Sequence, residues 1–172
     1  DCLLSRGLGD VYKRQALYYS VADFAIYDFA NGIEAIAARK IELIGDPETR
    51  YREDPVRMLR AVRFATKLNM DIAPESKEPI KELAVLLKNI PAARLFEEFL
   101  KLFMAGKAFD NFVMLNDLGI IKQLLPQLAK VLKQDSSGKV FNMITKAMQD
   151  TDQRVAIDKP VTPAFTFAAL LW

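Results

Sequence analysis

Residues Gly45–Phe64 read GDPETRYREDPVRMLRAVRF, and the fold turns on this stretch. Gly45, Asp46 and Pro47 signal a turn, a charged run follows, and a helix is entered through Glu53-Asp54-Pro55. Asp54 is a good N-cap type, and Pro55 suits a first helical position because the N–H it lacks would have no intrahelical partner there. At about 100° per residue, Arg57, Arg60, Arg63 and Lys67 fall within an arc of roughly 120°. Met58, Leu59, Ala61, Val62 and Ala65 fill the other side, which predicts a helix with a basic stripe and a packed back. Such a stripe is either the solvated face of a bundle helix or a surface for planar, bidentate contacts to phosphate or a base edge.

Outward from this helix the chain changes character in both directions. Upstream, Ala16–Asp28 (ALYYSVADFAIYD) places β-branched and aromatic residues on both sides of Ala22-Asp23 and predicts a hairpin. Asn31-Gly32 breaks that pattern, Ile33–Ala38 suits one or two helical turns, and Ile41–Ile44 reads as a third short strand. Downstream everything is helical. One helix runs from Asp54 to about Leu68 and ends at Asn69. A second opens at Pro74, and a third follows Pro91 with Leu95, Phe96, Phe99, Leu100 and Phe103 on one face. A fourth spans about Ala108–Leu118. A fifth covers Ile121–Lys133 with a kink or restart at Pro126, and a sixth runs from Lys139 to about Gln149. Pro160 and Pro163 frame a last start, and the apolar run to Trp172 reads as a truncated end. The aromatic residues at 96, 99, 103, 109 and 112 fall at helical spacings and are read as core.

Composition narrows the chemistry. The 172 residues are 51% hydrophobic, enough for one domain or two small ones, and carry a formal net charge of only +2. Charge placement, not total charge, therefore carries any case for an anionic partner. The absence of His excludes imidazole bases and His-ligated metals; a single Cys excludes internal disulfides and Cys-cluster zinc, and fits a reducing cytoplasm. No apolar run is long enough to cross a bilayer as a helix. Residues 1–15 (DCLLSRGLGDVYKRQ) do not continue the pattern that begins at Ala16; Asp10–Gln15 resembles one reading frame of a sequencing-library adapter, so the segment is read as non-native.

EDPVRMLRAVRF resembles the EDxxRxLRAxRF motif of the class II nucleotidyltransferases, which comprise the bacterial poly(A) polymerases and the CCA-adding tRNA nucleotidyltransferases. With GDPETRY in front it looks most like the poly(A) polymerase branch, and PAARLFEEFLKLFMAG and LNDLGIIKQLLP resemble later blocks of the same family. The resemblance implies a mainly α fold: residues 16–45 as the C-terminal remnant of a small β-sheet head, then an all-α neck and body helical domain over 46–172. It implies an enzyme family that adds AMP from ATP to RNA 3′ ends, as in mRNA polyadenylation, with Mg²⁺ held by head carboxylates. The head's Gly-Ser and Asp-x-Asp motifs lie upstream of the hairpin in the family and are not in this sequence, so no catalytic or metal residue is assigned here. Asp23 and Asp28 match no metal position and are read as turn and capping residues.

By the same resemblance, Asp54 and Arg57 read the nucleobase, and Arg60 and Arg63 belong to the same nucleotide site. A carboxylate can accept from an exocyclic amino group and a guanidinium can donate to a ring nitrogen, and residues three apart present both from one helix. The competing readings are capping alone for Asp54 and structural ion pairs with Glu48, Glu53 or a head carboxylate for Arg60 and Arg63. Glu53 is read as a residue that orients an Arg, and Arg50 and Arg52 as solvated surface charges, with help to the phosphates as their alternative role. Asn31 and Ala35 depart from the family, standing where it has Gly and usually Asp. Two other functions stay open: CCA addition, and a non-catalytic helical interaction domain with a fortuitous Arg stripe.

Overall fold

The computed structural model describes residues 17–171; the segment read as adapter-derived, residues 1–15, lies outside them. Within the described residues the chain is mainly helical, with ten α-helices and two two-stranded sheets near the start. It divides into two compact units, one ending at Pro79 and the other beginning at Ile80.

The first unit opens with the expected hairpin. Strands β1 (Leu17–Tyr19) and β2 (Ile26–Asp28) pair antiparallel, Tyr18 opposite Tyr27. The connection is wider than an Ala22-Asp23 turn: it occupies residues 20–25, closed by Ser20 N–H donating to the Ala25 carbonyl, with Phe24 in the left-handed region at φ 55°. Asp28 then starts helix α1 (Gly32–Ala37). Its carboxylate accepts from the backbone N–H groups of Ala30, Gly32 and Ile33 at 3.1, 2.9 and 2.8 Å, covering donors that a helix start leaves without intrahelical partners. Asn31 takes the left-handed conformation (φ 53°) that its Gly-like position requires.

The third strand is shorter than Ile41–Ile44. Strand β3 is Lys40–Ile41, and it pairs in parallel with β4 (Asp71–Ile72), which sequence patterning does not reveal because two residues carry no period. Between them lies a helix that the sequence reading took for a charged run, α2 (Pro47–Glu53). Asp46 caps it, accepting from Thr49 N–H at 2.8 Å, and Pro47 fills its first turn. Helix α3 (Val56–Leu68) follows and ends at Asn69 as expected, with that residue in the left-handed conformation. Its back is the core of this unit: Met58, Leu59, Ala61, Val62 and Ala65 are all buried, together with Val56 and Phe64. Tyr51 of α2 is fully buried too, and its hydroxyl donates to the Ser76 carbonyl at 2.8 Å. Ser76, at the start of α4 (Pro74–Leu83), also accepts from Leu43 N–H through its Oγ at 3.0 Å.

The second unit begins within α4 and continues through a 3₁₀ segment (Ala84–Asn89), α5 (Ala92–Phe103), α6 (Ala108–Asp117), α7 (Ile120–Leu124), α8 (Pro126–Gln134), α9 (Lys139–Ala156) and α10 (Pro163–Leu171). Pro126 breaks the fifth predicted helix into α7 and α8 instead of kinking it. Helix α9 runs a further two turns past Gln149, and in that extension the Asp152 carboxylate caps α6 by accepting from Ala108 N–H (2.6 Å) and Phe109 N–H (3.0 Å). Phe103 and Phe112 are buried as expected. Phe96 is not; it is 44% exposed and stacks on Phe167, which lies 4.2 Å from Phe99 in a parallel arrangement. None of the described helices is long and apolar enough to cross a membrane.

Tyr51→Phe removes one buried hydrogen bond without changing shape. It should lower stability by about 1–2 kcal/mol in denaturant unfolding; an unchanged midpoint would show that the hydroxyl anchors nothing.

Candidate nucleotide-binding site

Asp54 sits at the joint between α2 and α3, in extended conformation (φ −145°, ψ 93°). It closes α2, its N–H donating to the Arg50 carbonyl at 3.2 Å, and its Oδ1 accepts from Val56 N–H at 3.3 Å. The cap therefore differs from the sequence reading: Pro55 holds the N-cap position of α3, and Asp54 stands one residue before it. A single non-helical residue pair thus turns the chain from one helix into the next and leaves the Asp54 side chain half-buried at the break.

Arg57 lies in the first turn of α3 and reaches back across that joint. Its Nη1 donates to the Arg50 carbonyl at 2.9 Å and to Glu53 Oε2 at 2.9 Å. Arg50 Nη1 donates to the same Glu53 oxygen at 3.1 Å, and Arg50 Nε donates to the Ile44 carbonyl at 3.2 Å. Glu53 is thus held between two guanidinium groups. Hydrogen bonds from Arg57 first and Arg50 second keep its carboxyl below the usual glutamate range. Glu53 orients an Arg, as the sequence reading has it, but Arg50 is a member of the same cluster and not a bare surface charge. The missed signal was local: Arg50 and Glu53, three apart, share a face only once α2 is recognised as a helix, and Arg57 joins them from the first turn of α3.

Arg60 and Arg63 are half-buried on the same helix, and the Arg63 guanidinium lies 4.6 Å from the centre of the Phe64 ring. Glu48 pairs with Arg52 at 2.7 Å and Glu53 with Arg50 and Arg57. Lys67 is exposed at the far end of the stripe.

The carboxylates near the hairpin are a poor match to a divalent ion. The Asp28 oxygens are spent on three backbone N–H groups, which hold its pKa low. Asp23 accepts from Ser20, the Tyr27 hydroxyl and Ala25 N–H, and is lowered likewise. No cluster of three acidic, His or Cys side chains that could hold a metal occurs among the described residues. Asp23 and Asp28 do not fit a Mg²⁺ site.

Comparison with known proteins gives this arrangement a context. Poly(A) polymerase I of Salmonella typhi is 48% identical over 157 residues, covering 91% of this chain and 34% of that protein. This chain is a homologue of bacterial poly(A) polymerase I. It spans about a third of the length of the curated relatives it matches. Residues 69–132 match a family model described as "Probable RNA and SrmB- binding site of polymerase A". A CCA-adding enzyme of Lactobacillus helveticus is 42% identical over 91 residues, 51% of this chain and 23% of that one. In fold, the poly(A) polymerase I homologue resembles a tRNA nucleotidyltransferase solved with a primer tRNA and an incoming ATP analog. The TM-score is 0.61 at 17% identity, covering 86% of this chain and 42% of the other.

The Glu53 cluster has a pH signature. Its folded pKa is depressed, so its contribution to stability is complete above the unfolded glutamate value near 4.5 and is lost as pH falls through the folded value. The stability gap between wild type and Glu53→Gln should therefore be flat near neutrality and close in acid, below the ordinary glutamate range. Chemical denaturation from pH 7 to pH 3 checks this (about 4 units, spanning the carboxylate range); a gap that persists unchanged to the acid end would mean that charge plays no part.

Proposed function

We propose that this chain is the nucleotide-recognising and RNA-binding part of a polynucleotide adenylyltransferase, which adds AMP from ATP to RNA 3′ ends in the cytoplasm. The observation that carries this reading is the fixed guanidinium of Arg57 one turn beyond Asp54. Both protons of its Nη1 have acceptors, the Arg50 carbonyl and Glu53 Oε2, so the plane of the group is set before any ligand arrives. A planar donor set in advance can choose among bases by geometry, whereas a mobile charge attracts every nucleotide alike.

In this reading Asp54 accepts from the exocyclic amino group of adenine, Arg57 donates to its ring, and Arg60 and Arg63 serve the rest of the nucleotide. The helical region matched over residues 69–132 binds the RNA. Mg²⁺ is assigned to carboxylates outside the described residues, since Asp23 and Asp28 are committed to a turn and a cap and no cluster of three acidic side chains that could hold a metal occurs among the described residues. Greater identity and coverage against poly(A) polymerase I than against CCA-adding enzymes favours AMP addition over CCA addition.

This chain alone, given ATP, Mg²⁺ and an RNA primer, should extend nothing. Extension that survives repurification and is abolished by EDTA would overturn the assignment of the metal site elsewhere. In a polypeptide carrying upstream head sequence, Arg57→Lys keeps the charge and loses the planar fork. The ratio of kcat/KM for ATP over CTP and GTP should then fall about tenfold to a hundredfold. Unchanged ratios would return Arg57 to general electrostatics, and product sequencing with ATP and CTP together separates AMP addition from CCA addition.

A further inference from the structure

We infer that Arg50 is a positioning residue for the nucleotide site, fixing Arg57 from both its backbone and its side chain; the functional half of this inference rests on the base-reading role proposed for Arg57. An exposed Glu–Arg pair is by itself a weak restraint. Here Glu53 is about half exposed, and a lone pair with Arg57 would leave both side chains free to swing. Arg50 changes that in three ways. Its carbonyl accepts from Arg57 Nη1 at 2.9 Å, while also accepting from Asp54 N–H at 3.2 Å. Its own Nη1 takes the Glu53 oxygen that Arg57 uses, so neither guanidinium can move that carboxylate without opposing the other. Its Nε donates to the Ile44 carbonyl, which ties the cluster to the turn after β3.

Gly45 belongs to this device. It sits at φ 89°, in the left-handed region, and a Cβ there would come within 3.5 Å of Arg50 Nε. The Arg50 side chain therefore lies across the turn and joins three carriers: the turn at Ile44–Gly45, the last turn of α2 and the first turn of α3. Asp54 shares the arrangement, since the carbonyl that receives its N–H is the one that receives Arg57. Arg50 touches neither base nor phosphate in this account; it sets where Arg57 points.

Two measurements test this. On the chain itself, arginine side-chain NMR of ¹⁵N-labelled protein should show a restrained Arg57 in wild type and an averaged, faster-exchanging one in Arg50→Ala. Unchanged Arg57 signals in that variant would overturn the inference. In the polypeptide with head sequence, Arg50→Ala should lower the ATP over CTP ratio of kcat/KM about threefold to tenfold, through KM for ATP more than through kcat, because the Arg50 carbonyl and Glu53 still hold part of the geometry. Arg50→Lys restores a cation to Glu53 but cannot also reach Ile44, and should give an intermediate ratio. A lowered thermal midpoint with a wild-type ratio would mean a merely structural residue and would overturn the functional half. If Arg57→Lys and Arg50→Ala both leave the ratio unchanged while the NMR restraint is lost, the base-reading proposal fails and the positioning of Arg57 by Arg50 stands.

Discussion

One carbonyl oxygen organises the junction on which the site depends. The Arg50 carbonyl ends α2 by accepting from Asp54 N–H, and with its second lone pair it accepts the guanidinium of Arg57 from the helix that follows. The bond from Asp54 N–H is the ordinary i+4 bond that closes a helix, which leaves the second lone pair for a donor from beyond the Asp54-Pro55 break. Arg57 supplies that donor, so the end of α2 and the orientation of Arg57 share one atom. Pro55 contributes by having no N–H to satisfy at the break. The buried back of α3 then holds the helix axis still, so that a side chain on its other face keeps a defined position.

The legible parts of this structure are those governed by period or by a single strong side chain. The back of α3 was readable because five apolar residues recur at helical spacing and every one of them is buried. The end of α3 was readable at Asn69, though not the left-handed conformation that Asn takes there. Asp28 was readable as a capping residue because it precedes a turn with Asn-Gly. What failed to show was governed by pairing over distance. Helix α2 is mostly charged, with Tyr51 as its one buried residue, and so has no apolar stripe to detect. Strands β3 and β4 are two residues each and exist only because they meet. The exposure of Phe96 depends on where Phe167 comes to lie, about seventy residues later in the chain.

The candidate site divides in the same way. Asp54 and Arg57 could be named from the resemblance of a motif. The environment that restrains Arg57 could not be named, because it hinges on α2 being helical and on the turn at Gly45 passing beside Arg50. Asp152 offers a parallel in the second unit. Nothing in its local sequence distinguishes it from Asp150, yet one pairs with Lys146 on the surface and the other caps α6.

The parallel ladder of β3 and β4 has a bearing on how the first unit assembles. Its two strands lie about thirty residues apart in the chain, with α2 and α3 between them, and the contact itself is only two residue pairs long. Closing so long a loop costs entropy that two ladder positions cannot repay. The buried back of α3 supplies what the ladder lacks and holds Asn69 and Asp71 where Arg39 receives them. There the Arg39 guanidinium donates to the Leu68 and Asn69 carbonyls, and the Arg39 carbonyl accepts from Asp71 N–H. The ladder is the latch of the unit: it closes on a core already supplied by the back of α3 and adds only two residue pairs of its own.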